Sequence, residues 1–81
     1  MEKKAISVKI YNDTYMLATE ASEAHVLEIA NLVDAKMKDL AHRKHIQSTD
    51  KVAVWTALDL AAELVELKGR YEALLAAATE R

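Results

Sequence analysis

The chain has 81 residues, no cysteine, no proline and one glycine, a length that holds one small domain without disulfides or thiolate metal sites. Eleven Lys and Arg against thirteen Asp and Glu leave a net charge of −2, which gives no general field to attract nucleic acid or an anionic membrane. Apolar residues make up 52% and aromatics only 5%, so an ordered chain of few, long, helix-rich elements is expected.

Met1-Glu-Lys-Lys-Ala5 has two lysines but no apolar run after it, so no secretory signal or membrane span is expected and the default location is cytoplasmic. Ile6, Val8 and Ile10 alternate with Ser7, Lys9 and Tyr11, the period of a strand with one buried face. Asn12-Asp13 predicts a tight hairpin turn, because these residues tolerate positive φ. Tyr15 and Leu17 then share a face of a second strand. A hairpin alone is marginal in water and needs a helix or another chain against its apolar face.

Ser22 is a good N-cap, and Glu23 puts negative charge in a first helical turn. Val26, Ala30, Val33, Met37 and Leu40 recur at 4,3,4,3, and Leu27, Ile29 and Leu32 widen the stripe. This predicts an amphipathic helix over about 23–42, with Glu28, Asp34, Lys36, Lys38 and Asp39 mostly outside. Residues 42–47 read as a short basic connector. Ser48 or Thr49 caps a second helix, with Asp50 in its first turn.

From Ala53 onward, apolar residues follow the a/d spacing of a coiled coil: Ala53, Ala57, Leu60, Leu64, Leu67, Tyr71, Leu74 and Ala78. Such a helix is roughly 45 Å long, whereas a compact domain of this size has a radius of gyration of about 12 Å. The helix must overhang its globule, so its seam needs another chain. Val52–Ala62 is apolar nearly all round, and beyond Glu63 only the seam stays apolar. A head of residues 1–62 and a stalk of 63–81 are therefore expected. Glu63 at g and Lys68 at the next e suit a parallel dimer. Gly69 falls at the outward f position. The small Ala53, Ala57 and Ala78 and the apolar Leu75 favour more than two helices, with dimer and tetramer both left open.

No catalytic or cofactor site is expected. His42 and His45 lie three residues apart but lack a third metal ligand at any fixed spacing. Ser48 and Thr49 read as caps with Asp50 in the first turn rather than as a nucleophile and acid, and there is no nucleophile elbow or glycine-rich phosphate loop. Arg43-Lys44 between two histidines is either a solvated patch or a docking point for an acidic segment of a partner. Trp55 reads as a core or interface anchor at the junction of head and stalk.

The order of these elements, with Val33-Asp-Ala-Lys-Met37 on the first helix and Asp50-Lys-Val-Ala-Val-Trp-Thr-Ala-Leu-Asp-Leu60 opening the second, resembles the ZapA family of bacterial cell-division proteins. The resemblance spans nearly the whole chain. It departs at the hairpin turn, where the family usually has Gly and this chain has Asn12, and in the connector, where His42 and His45 replace part of the basic charge. It implies a ββαα fold of class α+β, an obligate oligomer whose head contacts the tubulin-like FtsZ and whose stalk makes dimers that pair into tetramers. It also implies a non-enzymatic role at the division septum, holding FtsZ protofilaments together by multivalency. Carried onto this sequence, the family's FtsZ contact falls on Arg43, His45 and Asp50, with Lys44 adjacent. Its oligomerisation surface falls on Leu60, Leu64, Leu67, Tyr71 and Leu74. The alternative is a general coiled-coil adaptor with a different protein partner.

Overall fold

Alternation at the N-terminus produces a two-stranded antiparallel hairpin. In the computed structural model, which describes residues 3–79, β1 (Lys4–Ile10) pairs with β2 (Asp13–Thr19). The register sets Ile6 opposite Leu17 and Val8 opposite Tyr15, so these four side chains share one face. The loop is Tyr11-Asn12, one residue earlier than the sequence suggests. Both of its residues take positive φ, 51° and 74°, as a two-residue turn that follows the twist of the strands requires. Asn12 adopts this geometry readily, whereas a tyrosine does so at some strain. The Tyr11 amide donates to Asp34 Oδ1 at 2.7 Å, and that bond holds the turn in place.

Two helices follow, α1 (Glu23–Lys44) and α2 (Thr49–Thr79). Ser22 caps α1 by accepting from the His25 amide at 3.2 Å. The helix runs two residues past the expected end. It closes on His45, whose left-handed backbone (φ 55°, ψ 44°) turns its amide onto the Ala41 carbonyl. His42, Arg43 and Lys44 thus form the last helical turn, where cations oppose the negative end of the macrodipole.

Ile6 and Val8 pack with Val26 and Ala30 to form the core between sheet and α1. The β2 half of the same face is less covered, and Tyr15 and Leu17 stay partly exposed. Farther along α1, Met37 and Leu40 are buried, as are Val52 and Thr56 of α2. Leu27, Ile29 and Leu32 are exposed rather than part of the buried stripe. The long α2 makes the molecule extended, at 51 × 42 × 15 Å with a radius of gyration of 16.6 Å.

Candidate functional site

Helical phase divides α2 into three faces. Val52, Thr56, Asp59 and Glu63 form the face turned to α1: the first two are buried, and both carboxylates meet Lys36. The a/d seam is the same spacing one residue later, which rotates it by about 100° around the helix. It therefore lies clear of α1. Leu64, Leu67, Tyr71 and Leu74 are 65, 62, 63 and 71% exposed, and only Leu60 is half-buried. Leu75 adds to the same apolar side at 52% exposed. These side chains form a continuous exposed apolar row along α2.

Lys36 does more than cover a surface. Its ammonium lies 2.7 Å from Asp59 Oδ2 and also bonds Glu63. The Asp59 and Glu63 carboxylates hold the Lys36 ammonium above its usual value, and Lys36 in turn lowers Asp59. Glu63, at the g position of the seam, bonds Lys36 of its own α1. Asp34 is also engaged: its bond from the Tyr11 amide, and then its bond from Lys38, hold its carboxyl below the usual 3.8. The Val33-Asp-Ala-Lys-Met37 run thus fastens the turn through Asp34, α2 through Lys36 and the core through Met37. Sequence periodicity placed Asp34 and Lys36 outside because it reports a helix's apolar face and not its long-range polar partners.

The basic end of α1 carries the other candidate residues. Arg43 Nε donates to Asp39 Oδ2 at 2.9 Å, one turn back. Lys44 reaches across to α2 and sets its ammonium 4.4 Å from the centroid of the Trp55 ring, a cation–π contact. His45 is the cap that ends α1, and Asp50 lies exposed in the first turn of α2. Beside Lys44 an open cleft of about 240 Å³ is lined by Leu40, Lys44, Trp55, Leu58, Asp59 and Ala62. No group of three or more His, Asp or Glu is placed to hold a metal among the described residues, and no helix among them is long and apolar enough to cross a membrane.

The comparisons with known proteins agree with one another. The family model described as "Cell division protein ZapA" matches residues 6–81. A cell division protein ZapA of Shouchella clausii is 39% identical over 70 residues, covering 86% of this chain and 90% of the relative. One from Geobacillus thermodenitrificans is 36% identical over 74 residues, covering 91% and 81%. Among solved structures, a ZapA mutant dimer from Geobacillus stearothermophilus superposes with a TM-score of 0.78 at 31% identity, covering 99% of this chain and 93% of that one. The ββαα order is common to both.

Proposed function

The chain belongs to the ZapA family of cell division proteins, and from that premise we propose that it is a non-enzymatic cross-linker of FtsZ protofilaments. It acts in the cytoplasm at the division septum, needs no cofactor, and has neither nucleic acid nor a membrane as its partner. The observation that carries this reading is the seam Leu60, Leu64, Leu67, Tyr71 and Leu74, exposed from Leu64 onward, on a helix that overhangs its own head. The seam joins copies into dimers and, through pairing of stalks, tetramers. Residues 1–62 act as the head and 63–81 as the stalk. Lys36 of α1 still reaches Glu63 at this boundary, and the seam leucines beyond it are exposed, which supports that division. Each head contributes a weak contact to FtsZ around Arg43, Lys44, His45 and Asp50. Linking several such contacts raises avidity through effective concentration, typically by about a hundredfold or more.

Co-sedimentation with FtsZ polymers tests this reading. The wild-type chain pellets with the polymers and bundles them. Leu67→Glu puts a charge into the seam without touching the head core, so it yields monomers with a folded head and no bundling. Bundling by Leu67→Glu at wild-type level overturns multivalency as the mechanism. Failure of the wild-type chain to sediment with FtsZ leaves the adaptor reading, with a different partner. Charge reversal by Arg43→Glu weakens sedimentation and leaves the oligomer mass unchanged.

A further inference from the structure

The seam leaves a second apolar face of α2 unaccounted for. Trp55, Leu58 and Ala62 repeat the spacing of the α1-facing residues Thr56, Asp59 and Glu63 one residue earlier, so they are turned about 100° away on the opposite side from the seam. A helix seated on the seam lies across α2 from them and cannot cover them. Trp55 is 44% and Leu58 57% exposed, and together with Leu40 they line the open cleft beside Lys44. The polar groups at its edge are unequally committed. Asp59 is neutralised by Lys36. Lys44 meets no carboxylate among the described residues and rests on the Trp55 ring. The cleft therefore has an apolar floor and one cation without an anionic partner, beside a helix end that also carries His42, Arg43 and His45.

We propose that this cleft is the anchoring pocket of the head's contact with FtsZ, and that it takes an FtsZ segment in which an apolar side chain is followed closely by a carboxylate. The inference rests on the FtsZ reading above and gives that contact its chemistry. The apolar side chain enters between Leu40, Trp55 and Leu58. The carboxylate takes Lys44, whose ammonium is already positioned by the indole. Tryptophan beside a cation at the centre of a small patch is the composition expected of a residue that dominates binding energy. Charge complementarity at the edge sets orientation and association rate.

Trp55 is the only tryptophan in the chain, so the test can read the pocket directly. The full chain is produced with 5-hydroxytryptophan at position 55 and excited beyond the absorption of ordinary aromatic residues. Acrylamide quenching is measured with and without FtsZ polymers, alongside co-sedimentation and light-scattering mass. Protection of the indole on addition of FtsZ is the expected result, with loss of FtsZ affinity of at least about tenfold for Leu58→Glu at unchanged oligomer mass. Lys44→Glu weakens binding more than Lys44→Gln does. Sedimentation with FtsZ but unchanged quenching overturns the pocket and leaves the cross-linking function standing. A fall in oligomer mass for Leu58→Glu also overturns it, because the cleft then joins copies of this chain. Absence of any sedimentation by the wild-type chain removes both readings together.

Discussion

The Thr56 hydroxyl lies between α1 and α2 in a residue only 3% exposed, with no hydrogen-bond partner among the described residues. A buried hydroxyl without a partner loses its water and gains nothing in return. Thr56→Val keeps the branched shape and a similar helix propensity while removing the oxygen. The expected outcome is a gain of about 1 kcal/mol, read from urea unfolding at fixed chain concentration, since association adds to the apparent stability. Destabilisation would mean that the hydroxyl bonds back to a helix carbonyl in solution. Nothing in the sequence marks Thr56 as unusual. It stands in an apolar stretch where its neighbours Val54 and Trp55 are exposed, and only the position of α1 decides which of them is buried. Trp55 is similar: its size identifies it as an anchor, but its exposure and its contact with Lys44 depend on how the connector brings two helices together.

Each element follows from its own pattern, and the departures lie at their ends. The period-2 run from Ile6 to Ile10 is enough to identify β1, and the N-cap Ser22 identifies the start of α1. The turn falls one residue early because the register is set by Ile6 and Val8 facing α1 and by Asp34 taking the Tyr11 amide. These contacts outweigh the better turn propensity of Asp13. Likewise α1 extends to Lys44 because His45 adopts a left-handed cap, a role for which glycine is the usual sequence signal. In α2 the seam was legible in full, because a 4,3 spacing needs no knowledge of neighbours. Its one local weakness is Gly69. A Cβ built there meets nothing within 4 Å, so Gly69→Ala introduces no clash. It should stabilise the helix by about 1 kcal/mol, seen as a higher melting temperature at constant chain concentration with the same oligomer mass. A change in mass would show that position 69 faces another chain.

At the scale of the whole molecule, Lys36 is a fastening between α1 and α2. It bridges α1 to two carboxylates one turn apart on α2. Its contribution should therefore have a definite pH range. The Asp59 carboxyl is held below its usual 3.8 by Lys36, so this stabilisation is present above that value and is lost as pH falls through the lowered one. Lys36 is held above its usual 10.5 by Asp59 and Glu63, so its stabilisation is fully present below that value and is lost as pH rises through the raised one. Lys36→Met keeps the apolar stem and deletes both limbs. The melting temperature of this variant should lie below that of the wild type by a nearly constant amount between pH 3.8 and 10.5, with the gap narrowing on either side. The acid sensitivity due to Asp34 should persist in both proteins, because its partners are the Tyr11 amide and Lys38. A gap that stays constant through the acid and alkaline limits would assign the loss to packing of the Lys36 stem. In that case α1 would be held to α2 by its buried apolar contacts, Met37 and Leu40 with Val52 and Thr56.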